Sequence, residues 1–144
     1  MSTEFQLSEQ DGLLTFRVEE APAPEVVDRI LGDALVMISS RQLTGMLFDL
    51  RAQSSSDLTS RRARRILLAC ERAMLIGWPD TRQVLPFAIV STPDTLGYGI
   101  GRMMLGHAYG LDRLTLAQFE ALPEARAWLA GLQARPRPPA TPGP

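Results

Sequence analysis

The 144-residue chain has one histidine, one cysteine and fifteen basic residues, all fifteen of them arginine. Without lysine, a Walker phosphate loop and any Schiff-base mechanism are excluded. Asparagine is absent too, and codon bias in a GC-rich genome is the plain origin of both gaps. His107 has no second histidine or cysteine pair at metal-ligand spacing, so no metal site is expected. It could join Asp112 and a serine such as Ser91 as a nucleophilic triad, but the strained Gly-x-Ser-x-Gly elbow that exposes such a serine is missing. Cys70 falls on the apolar stripe of a helix, where a buried, inert thiol is expected. No two carboxylates are placed by their spacing for acid–base work. These residues predict a non-enzyme, with no catalytic group, cofactor or metal.

Two other groupings invite binding chemistry. Gly97-Tyr98-Gly99-Ile100-Gly101-Arg102 follows a strand and precedes a helix, as a phosphate loop would, but the dinucleotide pattern needs a glycine where Met103 or Met104 stands. The glycines then serve close packing or a mobile flap. With Tyr98, Met103, Met104 and His107 nearby, such a flap could border a pocket for a small apolar, lipid-like ligand, since methionines adapt to irregular shapes; core packing is the plainer alternative. The second grouping is Arg61, Arg62, Arg64, Arg65 and Arg72 on one helix. At 100° per residue Ala63, Ile66, Leu67, Cys70, Met74 and Gly77 form its core stripe, while Arg61, Arg65 and Arg72 lie opposite together with Leu68 and Leu75. Apolar residues among arginines on an outer face suggest a contact site, for a homodimer or a regulatory protein partner. The plain alternative is a solvated face with two tolerated leucines. A nucleic-acid reading lacks interleaved aromatic residues and conflicts with a formal net charge of −1.

The elements that must position these residues follow from periodicity. Phe5–Glu9 and Leu13–Glu19 read as strands joined through Gln10-Asp11-Gly12, a hairpin signal because the turn needs residues that tolerate positive φ. Ala21-Pro22-Ala23-Pro24 breaks the chain before a helix from Glu25 to about Gln42. Thr44–Leu50 is nearly all apolar, as suits a central strand covered on both faces. A second helix runs from Asp57 to about Gly77, where Gly77-Trp78-Pro79 ends it. A strand at Val84–Val90 carries Pro86 near its start. A third helix is expected around Thr95–Tyr109, weakened by Gly97, Gly99, Gly101 and Gly106, so that its first half reads as loop or mobile. A strand at Arg113–Ala117 and a helix at Pro123–Gln133 close the domain. The order β-β-α-β-α-β-α-β-α implies an α/β fold with a mixed sheet of about five strands, an N-terminal hairpin followed by right-handed crossovers, covered by four helices.

At 15.9 kDa the chain is one domain's worth, expected at residues 1–134, with the proline-rich segment 135–144 as a disordered tail. Apolar residues are 45% and charged residues 22%, which excludes disordered, collagen-like and disulfide-scaffold classes. Charge is uneven along the chain: residues 1–34 hold eight acids and two arginines, residues 35–82 eight arginines and four acids. The first residues, Met1-Ser2-Thr3-Glu4-Phe5, have no export pattern, and no run is long and apolar enough to span a membrane. A cytoplasmic protein is expected.

Several segments resemble the SpoIIAA-like (STAS/SEC14-type) family. They are the strand Met46-Leu47-Phe48-Asp49-Leu50-Arg51 ahead of a long helix, and the closing Leu114-Thr115-Leu116-Ala117-Gln118-Phe119 followed by Leu122-Pro123-Glu124-Ala125-Arg126-Ala127-Trp128-Leu129. The physical reason for that ending is one helix face packing on the sheet: Ala125, Trp128, Leu129 and Leu132 fall at i, i+3, i+4 and i+7. The resemblance, over about residues 5–132, implies a SpoIIAA-like fold in a bacterial regulatory, protein-binding or apolar-ligand-binding module. It also implies a place for a phosphorylation switch, at the start of the helix after the central strand. Ser54, Ser55 and Ser56 stand there, although the relatives' Asp-Ser-x-Gly-like signature does not; the plain alternative is a loop with a helix-capping serine or aspartate.

Overall fold

The computed structural model describes residues 3–8, 12–18, 24–51, 60–79 and 83–132. Strands β1 (Thr3–Ser8) and β2 (Leu13–Val18) pair antiparallel, with Phe5 opposite Phe16 and Leu7 opposite Leu14. Gly12 leads into β2 at φ 68°, a left-handed conformation that suits glycine, and its carbonyl accepts from the Thr44 amide at 2.8 Å. The remaining turn residues, 9–11, lie outside the described residues.

From β2 onward every pairing is parallel. Helix α1 (Pro24–Ser39) crosses to β3 (Gly45–Asp49), α2 (Ser60–Gly77) to β4 (Leu85–Val90), and α3 (Leu96–Ala108) to β5 (Leu114–Phe119); α4 (Leu122–Leu132) follows. The sheet runs β1-β2-β3-β4-β5, so each crossover places its strand beside the previous one. Pro86 is tolerated because the β3–β4 register begins only after it, with Met46 opposite Phe87.

Parallel strands covered on both faces bury alternate residues in two cores. On one face Met46, Leu50, Phe87 and Ile89 pack under α1, α2 and α3, and the rings of Phe16, Phe48 and Phe87 follow one another across it. On the other, Leu47, Ala88 and Val90 meet Ala125 and Leu129 of α4, and Phe119 lies against Trp128 at 5.5 Å. Leu132, placed by its spacing on the same helix face, is instead exposed at the last turn. The helix has run past the sheet by that point, so its apolar stripe outlasts the surface it packs on.

Two further expectations are corrected. The first helix stops at Ser39 rather than near Gln42, because Arg41 turns left-handed (φ 64°) and the Gln42 amide closes back on the Met37 carbonyl at 2.8 Å. That is a Schellman stop with arginine where glycine is usual. The third helix is regular from Leu96 on, with no loop in its first half: Thr95 caps it, its hydroxyl accepting from the Tyr98 amide at 3.3 Å.

Candidate functional site

Helix α2 is the middle of the three-helix layer, in contact with both α1 and α3. Its inner stripe is Ala63, Leu67, Cys70, Ala73 and Met74, all buried. Burial pushes the Cys70 thiol up to about 12, so it is protonated and inert. Ile66 and Gly77, expected in the same stripe, are half-buried at its margin. The opposite stripe is exposed: Arg61, Arg65, Leu68, Arg72 and Leu75 share it as the spacing predicts, with Leu68 42% and Leu75 49% accessible. The spacing argument missed two residues there. Ile76 beside Leu75 and Val36 on α1 are each 67% exposed. A count of apolar residues off the core stripe of each helix would have found both.

Fixed contacts hold α2 at both ends. Near its start the Arg62 guanidinium meets Asp28 of α1 at 3.3 Å, an exposed pair that contributes little by itself. At its end Gly77 lies so close to the Ser39 backbone that a Cβ there would collide with the Ser39 carbonyl. Trp78 is buried and donates its indole N–H to the Ile38 carbonyl at 3.0 Å. Arg41 spans the same junction, donating to the Gly77 carbonyl at 2.9 Å with its guanidinium 4.9 Å from the Trp78 ring centre. These contacts offset the left-handed backbone at Arg41. On the α3 side, the Glu71 carboxylate accepts the amides of Asp112 at 3.1 Å and Arg113 at 2.8 Å. The outer face of α2 is therefore presented from a rigid seat.

Where β3 ends, Asp49 is buried and receives Arg51 three times: the backbone amide at 3.2 Å, Nε at 2.9 Å and Nη2 at 2.8 Å. Burial alone would raise the Asp49 pKa, but the hydrogen bonds and charge of Arg51, with Arg17 nearby, outweigh it and hold the carboxyl below its usual range. Arg51 is correspondingly held more firmly protonated by the Asp49 hydrogen bond. This forked pair holds the chain where it leaves β3. Ser54, Ser55 and Ser56 lie outside the described residues.

The residues expected to border a pocket all lie on α3. Met104 is fully buried in the core beneath the helix layer, Met103 packs against that core from its edge, and Tyr98 and His107 are half-buried on α3. The glycines have a packing explanation. A Cβ on Gly97 would collide with the Leu50 carbonyl, and one on Gly101 with the Gln118 amide, so both permit close approach of α3 to the sheet. Gln118 in turn donates to Ser91 Oγ at 2.7 Å and to the Tyr98 carbonyl at 3.0 Å. Ser91 is therefore buried at the end of the interior strand β4 and engaged with Gln118. Among the described residues, no group of three or more His, Cys, Asp or Glu side chains could hold a metal ion, and no helix is long and apolar enough to cross a membrane.

No protein-family profile matches the chain, and no curated protein matches it in sequence. Its fold does have solved counterparts. One is the anti-sigma factor antagonist SpoIIAA in its unphosphorylated form, with a TM-score of 0.56 at 10% identity, covering 90% of this chain and 98% of the other. Another is an uncharacterised DUF3478 protein with a SpoIIAA-like fold from Shewanella loihica, with a TM-score of 0.50 at 17% identity, covering 89% and 92%. At these identities the likeness establishes the fold: the chain has a SpoIIAA-like α/β architecture, as its closing strand and helix suggest.

Proposed function

We propose that this SpoIIAA-like domain is a non-enzymatic regulatory module that binds protein through the outer face of α2. The observation that carries this reading is the exposure of Leu68, Leu75 and Ile76 on a helix whose other side is sealed in the core, among Arg61, Arg65 and Arg72. Apolar side chains ringed by arginine have the composition of an interface centre and rim. The fold shared with SpoIIAA, a protein named as an anti-sigma factor antagonist, supports a regulatory role. The serines Ser54, Ser55 and Ser56 precede Arg61 and Arg62 in sequence, so a phosphate there would add negative charge close to the basic start of this face.

Site-specific photo-cross-linking tests the reading. A benzophenone side chain at position 68 should yield a protein adduct in the host cell, whereas one at Arg126, exposed on α4 across the sheet, should not. Absence of any adduct from positions 68 and 75 would refute it.

A further inference from the structure

The face described above does not end at α2. The Asp28–Arg62 contact near the helix starts, and the Gly77–Ser39 and Trp78–Ile38 contacts near their ends, show that α1 and α2 lie side by side and run in the same direction. Their outward sides carry opposite charge. On α1, Glu25, Asp28 and Asp33 are exposed with one arginine, Arg29. On α2, Arg61, Arg64, Arg65 and Arg72 are exposed with no exposed acid. Toward the C-terminal ends both helices turn apolar on the outside, through Val36 on one and Leu75 and Ile76 on the other.

We infer that the occupant of this face is a second copy of the same chain, docked about a two-fold axis parallel to the helices, so that α1 of each protomer lies on α2 of its partner. This rests on reading the outer face of α2 as an association surface. Two copies can meet face to face about a two-fold axis in two simple ways. An axis across the helices sets α2 on α2 and α1 on α1, stacking arginines on arginines and acids on acids. An axis along them sets α1 on the partner's α2 and leaves heights along the helices unchanged. The acids of each α1 then face the arginines of the partner's α2, and Val36 comes over the apolar end carrying Leu75 and Ile76. Charge complementarity selects the second arrangement. A different protein would have to carry the same two-signed pattern in reverse, which a second copy supplies by symmetry. Two helices of this length offer a face of ~25 by ~20 Å, at the small end for a specific interface. The dimer should therefore dissociate reversibly, at about micromolar concentration.

Sedimentation velocity on the full chain tests the arrangement through charge reversal at exposed positions. Wild type should sediment as a concentration-dependent dimer. Arg61→Glu with Arg65→Glu, or Glu25→Arg with Asp33→Arg, should each weaken it by about 100-fold. All four substitutions in one chain should restore it, because the signs are exchanged and remain complementary; if helices met their own copies, every contact would stay like-on-like and neither paired variant would associate more weakly than wild type. Circular dichroism and melting of each variant establish that it is folded. As an independent reading, mixed Val36→Cys and Leu75→Cys proteins should form the 36–75 disulfide between chains in preference to 75–75, with buried Cys70 silent. A monomeric wild type at every accessible concentration, a monomeric four-fold variant, or a predominant 75–75 bridge overturns the proposal. If wild type is monomeric while position 68 cross-links to a different protein, the second copy is refuted and the association reading stands; if position 68 also gives no adduct, both fall.

Discussion

The four glycines of α3 separate into two pairs, and alanine substitution should shift stability in opposite directions. At Gly97 an added Cβ would collide with the Leu50 carbonyl and sit 3.0 Å from the Leu50 Cβ, against a central strand that cannot retreat. Relieving that overlap requires α3 to lift from β3, which also disturbs the Gln118 bonds to Ser91 and Tyr98. Overpacking of this kind costs about 2–3 kcal/mol. Gly101→Ala meets the movable Gln118 side chain and Ile89 at 3.0 Å, and should cost less, about 1–2 kcal/mol. Gly99 and Gly106 have nothing within 4 Å of an added Cβ, so alanine there restricts the unfolded chain and raises helix propensity, a gain of about 0.5–1 kcal/mol. Urea unfolding followed by circular dichroism reads all four variants against wild type. At roughly 3 °C per kcal/mol for a chain of this size, the Gly97 and Gly99 variants should melt about 10 °C apart. A Gly97→Ala protein as stable as Gly99→Ala would refute the close seating of α3 and return the glycines to a flap at a pocket mouth.

Asp49 gives a pH-dependent prediction. Its pKa is lowered in the folded state, so its contribution is present above the unfolded value near ~3.9 and is lost as pH falls through the lower folded value. Asp49→Asn should therefore cost about 1–2 kcal/mol at pH 7, with the gap to wild type narrowing in strong acid; a gap that widens there would contradict the Arg51 assignment. Glu71→Ala leaves two loop amides to water and should destabilise by about 1 kcal/mol, with amide exchange at Asp112 and Arg113 accelerating first. Cys70, with its thiol pushed up to about 12, should resist iodoacetamide at pH 8 in native protein and react once the chain is unfolded in urea.

Periodicity in the sequence was enough to order the elements and assign the buried stripe of α2, because the 3.6-residue repeat there is long and its interruptions are charged. It also placed Arg61, Arg65, Leu68, Arg72 and Leu75 on the outer side. It could not show where a helix outlasts its support, which is why Leu132 was expected in the core. Nor could propensity anticipate that a glycine-rich stretch would form a regular helix: the loss at Gly97 and Gly101 is repaid by sheet contacts that only the tertiary structure supplies. Arg41 takes the left-handed position of the Schellman stop where glycine is usual, and the partners that hold its side chain there, Gly77 and Trp78, are distant in sequence. The two-signed outer face was half legible. The acidic first segment and the basic middle one are plain in the charge counts, but only the side-by-side packing of α1 and α2 joins them into one surface.

The central claim is that the outer face of α2 is where this protein meets another chain. The most direct measurement is the size distribution of tagged wild type beside a Leu68→Glu, Leu75→Glu double variant in host extract, after equal melting temperatures have shown both to be folded. Wild type should travel in an assembly larger than its 15.9 kDa chain, and the variant as a monomer. Identical profiles for the two proteins would contradict the claim.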